Sequence, residues 1–255
     1  MRAALALGVL LLSACPPARA AAAPRGVALD YEVRYGPFEV LEVSAITRLD
    51  GDRYETSSAL RTVGIIGLLF PWSATAATDG RRAGGALRPV RHRSEGTYRE
   101  SRRTVELDYD ETGGVQSRIV PPSDAENRDT VPADMLPGTI DPLTASLAAI
   151  ERECRGTLNV FDGRRRYDMA LEERGLAPVP SDRAVYQGDA RHCRANIAPL
   201  AGFWRPSARQ DERPTHLDVW IAPPRPGLLA VPVYLELSSP RGTLGVHLVR
   251  AEPLP

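Results

Sequence analysis

The chain has 255 residues and balances 32 basic against 32 acidic side chains; lysine is absent, so all of these cations are arginine. A neutral chain is a poor match for a phosphate backbone, which excludes nucleic acid as a partner. Without lysine there is no P-loop, no Schiff-base or pyridoxal chemistry and no Ser-x-x-Lys acylating pair.

Met1-Arg2 followed by an apolar run from Ala3 to Leu12 reads as a secretory signal over residues 1–20. The run falls well short of the roughly 20 apolar residues that a membrane-spanning helix needs. Two processing routes fit it. Ala18-Arg19-Ala20 is a small-x-small site for ordinary signal peptidase, which releases a periplasmic or secreted chain from Ala21. Leu12-Ser13-Ala14-Cys15 has the form of a lipobox, whose acylated cysteine anchors the chain to a membrane. Beyond Cys15 the cysteines are Cys154 and Cys193, and an even count in an exported chain predicts a disulfide between them. No later stretch is long and apolar enough to span a bilayer.

Strand periodicity begins at once. Val27, Leu29, Tyr31, Val33 and Tyr35 recur every second residue, and Gly36-Pro37 turns the chain. A second strand carries Leu41, Val43 and Ala45 on one face, and Asp50-Gly51 leads into a third over 54–62. Residues 63–72 break the pattern, running apolar without alternation and punctuated by Gly64, Gly67 and Pro71. Two roles fit them: a core-filling loop or short helix capping a barrel end, or a mobile lid or membrane-touching loop. The expectation carried forward is a lid bordering an apolar cavity, built from Ile65, Ile66, Leu68, Leu69, Phe70 and Trp72.

Alternation returns at 104–109. Residues 121–138 are polar and proline-bearing and read as a long surface connection. A helix is predicted over 141–153, with Asp141 as N-cap, Pro142 at the first helical position, and Leu143, Leu147 and Ile150 on one face. A hairpin follows, turning at Asp162-Gly163; Arg164, Arg165 and Arg166 form either a solvated tip or a contact for an anionic group. Further alternating runs at 217–221, 231–237 and 244–249 complete the pattern.

Several short motifs resemble, in order, a family of exported bacterial proteins known only as a domain of unknown function. They are Asp141-Pro142-Leu143-Thr144-Ala145, Cys154, Val160 to Tyr167, Cys193, Leu200-Ala201-Gly202-Phe203, Val219-Trp220 and Pro232-Val233, with the Tyr31 and Tyr35 strand at the start. The resemblance implies an envelope location and a mainly β fold and brings no catalytic residues. By architecture the chain is also similar to the unclosed β-barrels of periplasmic lipoprotein carriers, a likeness of fold and not of function.

No nucleophile elbow, zinc-protease helix or dinucleotide-binding turn is present. None of His92, His192, His216 and His247 has a second histidine at metal-ligand spacing, so neither metal nor cofactor is expected. His216 and Asp218 share a strand face and are the pair on which a hydrolase without a standard motif would rest.

The sequence therefore predicts a single mainly β domain, a curved antiparallel sheet or open barrel with one short helix. Its strand groups, about 26–120 and 155–250, are joined by the loop and the helix 141–153. The expected role is non-enzymatic binding of an apolar or lipid-like molecule between sheet and helix. The alternatives to it are an envelope assembly factor that offers its edge strands or apolar loop to a partner, and the hydrolase.

Overall fold

Period-two patterning yields, among the described residues, thirteen antiparallel strands in one sheet. The computed structural model describes residues 25–122, 128–204, 216–239 and 242–254. The first group is a meander: β1 (Arg25–Tyr35), β2 (Phe38–Asp50), β3 (Arg53–Thr62), β4 (Trp72–Ala83), β5 (Ala86–Tyr98), β6 (Ser101–Tyr109) and β7 (Val115–Val120). A short helix, α1 (Gly64–Leu69), joins β3 to β4, and α2 (Pro142–Glu151) separates the two groups. The second group comprises β8 (Gly156–Phe161), β9 (Arg166–Pro178), β10 (Asp189–Ala201), β11 (His216–Ala222), β12 (Val231–Ser239) and β13 (Gly242–Leu254).

The first and last strands pair in the middle of the sheet. β1 lies between β2 and β13, so both meanders belong to one continuous ladder and β7 and β8 become its edges. Among the described residues the two edges are not paired with each other, and residues 131–140 lie between them. Ile140 donates to Asn159 O at 2.9 Å and accepts from Phe161 N at 3.0 Å, which covers the β8 edge, while Gly138 N reaches Gly113 O beside the start of β7. Such covering satisfies backbone groups that would otherwise template unwanted pairing. Val105, Leu107 and Phe161 pack across the seam with Val131 and Leu136.

The register places one row of cross-strand neighbours on the inner face: Val27, Thr47, Thr56, Thr78, His92 and Leu107, all buried. The adjacent inner row is Leu29, Ala45, Ser58, Ala76, Ser94 and Val105, mostly small side chains. Helix α2 lies over the first row. Beneath it, Tyr54, Leu87, Ala145, Ala148, Leu158, Val160 and Ile221 form a core with Cys154 and Cys193. Those two cysteines are joined, with Cα atoms 5.6 Å apart, tying the residues just past α2 to β10. To the helix read from the sequence the structure adds α1. No helix among the described residues is long and apolar enough to cross a membrane.

Candidate apolar binding site

Helix α2 has ten residues, too short to be stable on its own, so its position is set by what holds its ends. Asp141 is the N-cap and is fully buried. Its Oδ1 accepts from the backbone N–H of Leu143 and Thr144 and from the Thr78 hydroxyl at 2.7 Å; its Oδ2 accepts from the Thr144 hydroxyl. His92 Nδ1 lies 2.8 Å from Thr78 Oγ1 and 3.2 Å from Asp141 Oδ1. Burial alone would push this carboxyl up; the bond and charge from His92, with the Thr144 and Thr78 hydroxyls, outweigh it and hold Asp141 below the usual carboxylate range. One turn into the helix, Thr144 Oγ1 also meets Tyr54 Oη at 2.8 Å. The first turn is thus pinned to β3, β4 and β5, and the disulfide pins the chain beyond the last turn.

Pinned in this way, α2 divides its faces. Thr144, Ala145 and Ala148 are buried against the sheet, and these small side chains let the helix approach the buried row closely. Leu143, Leu147 and Ile150, the face read from the sequence, look instead across a cavity of about 400 Å3. Its other walls are Val27, Leu29 and Tyr31 of β1, Val43 and Ala45 of β2, Val231 and Leu235 of β12, and Val246 of β13. Leu143, Leu147, Ile150, Val43, Leu235 and Val246 are only half-buried, so aliphatic surface faces open space instead of a neighbour. The Tyr31 hydroxyl, the aromatic polar group in this wall, is spent on Pro232 O at 3.0 Å. Volume and lining match a site for a small apolar ligand. Three larger hollows, about 680, 620 and 600 Å3, are lined largely by outward residues of β1 to β7, among them Arg93, Glu95 and Glu106 in the first, Glu55, Asp79 and Arg81 in the second, and Asp30, Glu42 and Arg61 in the third. Their charged walls suit them less for burying apolar surface.

The residues singled out from the sequence do not converge on this cavity. Ile65, Ile66, Leu68, Leu69 and Phe70 belong to α1 and its C-terminal end, no residue of that helix is buried, and neither they nor Trp72 at the start of β4 line the cavity. The lid expectation is corrected accordingly: α1 sits at the β3–β4 connection, one strand length from the turns near α2. Arg164, Arg165 and Arg166 are committed to the protein itself. Arg164 donates to Val120 O and Pro121 O across the seam, Arg165 pairs with Asp162, and Arg166 donates to Met135 O and Tyr167 O and pairs with Asp168. An anion would have to displace all of these bonds.

His216 Nε2 lies 3.7 Å from Asp218 Oδ2, but the carboxylate is already engaged by Arg194 in a two-pronged pair and by His192 Nε2 at 2.8 Å. Burial raises the Asp218 pKa, and the Arg194 and His192 bonds outweigh it and keep it below the usual range. His192 also stacks on Trp220, with ring centroids 4.4 Å apart. A Ser–His contact that the sequence did not suggest, Ser181 Oγ to His247 Nδ1 at 2.7 Å, is structural too, since the same oxygen accepts from the N–H groups of Arg183 and Ala184. Among the described residues no cluster of His, Cys, Asp and Glu could hold a metal ion. Cys15 lies outside the described residues.

Sequence reasoning missed Thr78 and His92 because β4 and β5 carry few large apolar residues at alternating positions. The one available signal was Asp141, whose capping role is local. Its tertiary partners are 63 and 49 positions away.

A family model described as "Protein of unknown function (DUF3108)" matches residues 30–249. Among solved structures the chain is similar to a crystal structure of a beta-barrel-like protein of the domain of unknown function DUF1849 from Brucella abortus, with a TM-score of 0.52 and 11% identity over 91% of this chain and 98% of that one. At that identity the likeness concerns the fold alone. A search of curated proteins gives no match.

Proposed function

The chain belongs to the DUF3108 family of proteins of unknown function, and from its own geometry we propose that it is an exported, non-enzymatic binding protein for a slender apolar molecule such as an acyl chain. The observation that carries this reading is the cavity of about 400 Å3 between α2 and the sheet, walled by half-buried aliphatic side chains. Covering such surface stabilises a complex by roughly 25 cal/mol per Å2. The cavity offers little to orient a reacting group: its acidic member, Glu151, lies at the end of α2, and the Tyr31 hydroxyl is already bonded. A disulfide and the signal-like first 20 residues fit an oxidising compartment outside the cytoplasm.

The test is mass spectrometry of molecules that co-purify with the protein from its own envelope, joined to titration with a fluorescent fatty acid. Ala45→Trp would fill the cavity from β2 and should abolish probe binding while the thermal melt stays close to wild type. A wild-type protein that binds no probe and carries no lipid would overturn the reading.

A further inference from the structure

In an antiparallel meander, alternate connections fall at the same end of the sheet. Here the β1–β2 turn, the β3–β4 connection with α1, and the β5–β6 turn come together. Val63 N donates to Val40 O at 3.1 Å, and Arg99 N to Pro71 O at 3.4 Å, so α1 is flanked by both neighbouring turns. At this end stand most of the large apolar side chains that the first strand group exposes: Tyr35, Phe38, Ile65, Leu68, Leu69 and Phe70, with Leu68 84% and Phe38 63% exposed. Tyr98, on the third connection, is exposed as well, and the Arg99 guanidinium lies over its ring, 5.5 Å from the centroid. From Thr62 to Thr78 the chain carries no charge.

The other end of the same strands differs in kind. Its turns carry charges of both signs, Asp50, Asp52, Arg53, Arg82, Asp110 and Glu111, and Val90 on β5 is the large apolar side chain exposed beside them among the described residues. Around α1, over 33–41, 60–74 and 96–103, the charged residues are Arg34, Arg61, Arg99, Arg102 and Arg103 against Glu39 and Glu100, and Arg34 pairs with Glu39 and with Glu32. Arg61 and Arg102 reach back to Glu42 and Glu95 just behind this zone, leaving the carboxylates on the protein side and the apolar tip foremost. An uncharged apolar tip, bordered by tyrosines and arginines, is the chemistry that sits at a bilayer surface, with aliphatic groups below the headgroups and cations among their phosphates.

We infer that the α1 end is a docking surface for a lipid bilayer containing anionic lipid. It places the protein with its strands rising from the membrane and α2 at the far end, and it does not depend on what fills the cavity. A protein partner or a second copy of this chain would be the other occupant; the excess of arginine together with the uncharged tip favours the bilayer.

The experiment expresses the full chain with Cys15→Ser in its signal, so that no acyl group can anchor the exported product. It is sedimented with vesicles of phosphatidylcholine alone and with vesicles that also contain phosphatidylglycerol. Wild type should pellet with the phosphatidylglycerol vesicles and much less with phosphatidylcholine alone. Leu68→Asp, at a position that buries nothing, should keep the wild-type melt and weaken partitioning by about tenfold to a hundredfold, the value of removing one fully buried leucine. Arg99→Glu should weaken it only where phosphatidylglycerol is present. Three results would overturn the inference: wild type staying in the supernatant with both vesicles, Leu68→Asp binding as wild type does, or a wild-type dimer in light scattering that Leu68→Asp dissolves, which would assign the surface to a second copy. Fatty-acid titration without vesicles reads the cavity separately, so failure of either proposal leaves the other standing.

Discussion

The Thr78 hydroxyl donates to Asp141 Oδ1 at 2.7 Å and so joins the middle of β4 to the N-cap of α2, 63 residues along the chain. That bond makes the helix part of the barrel instead of an appendage, and it sits beside His92 and Thr144 on the same carboxylate. Asp141→Ala removes the cap, worth about 1 kcal/mol, and leaves buried hydroxyls without an acceptor at about 1–3 kcal/mol each. The expected loss is therefore about 3 kcal/mol or more, read as a lower urea midpoint. A variant as stable as wild type would mean that α2 is held by packing alone.

The same carboxyl sets an acid limit. Its folded pKa lies below the ordinary value, so the stability it contributes is present above the ordinary carboxylate range and is lost as pH falls through the folded value. Asp141→Asn keeps a capping oxygen and removes the titration. Urea midpoints taken from neutral pH downward should fall less steeply for the variant than for wild type; parallel curves would place the acid sensitivity elsewhere.

Breaking the disulfide should loosen the end of α2. A loop with a sequence separation of 39 corresponds to about 4 kcal/mol in the chain-entropy model. Cys154→Ala with Cys193→Ala should show that loss in denaturant, with faster hydrogen exchange at the last turn of α2. Unchanged exchange there would separate the bond from the helix.

The seam between the two sheet edges can be probed at Gly163. Its φ is +89°, and a Cβ would lie 2.2 Å from a methyl of Val105 on β6. Gly163→Ala combines a strained backbone with overpacking, each worth on the order of 1–3 kcal/mol. A melting temperature within a degree or two of wild type would show that the hairpin tip moves freely away from β6.

Asp218→Ala tests whether the Arg194, His192 and Asp218 cluster serves the fold and not the binding site. It leaves Arg194 and His192 without their shared acceptor, and a loss of about 1–3 kcal/mol is expected. Fatty-acid binding should be unchanged, because Asp218 does not line the cavity. Loss of binding at full stability would move the site to β10 and β11.

Much of the fold was legible wherever one sheet face carries large apolar residues. Val27, Leu29 and Tyr31 announce β1, and Val231, Val233 and Leu235 announce β12, because one side of each is buried against a core. β4 was not legible. Its inward residues are Ala74, Ala76 and Thr78, small because the α2 helix and the open space of the barrel lie over them, so its alternation has no hydrophobic amplitude. The opposite error arose at 63–72, where apolar composition suggested a covered segment and the chain instead exposes it on α1. Hydrophobicity reports that a side chain gains by leaving water; it does not say which surface covers it.

By itself the sequence determined the mainly β class, the cap and start of α2, the face of Leu143, Leu147 and Ile150, and the pairing of the two later cysteines. All of these follow from local periodicity, local capping chemistry or a count. Only the tertiary structure decided that β1 and β13 pair at the centre of the sheet, that Thr78 and His92 meet Asp141, and that the apolar face of α2 borders a cavity while Arg164 and Asp218 are held by internal bonds. Those relationships join residues tens to hundreds of positions apart. They depend on strand order and register, to which the pattern of any one segment is blind.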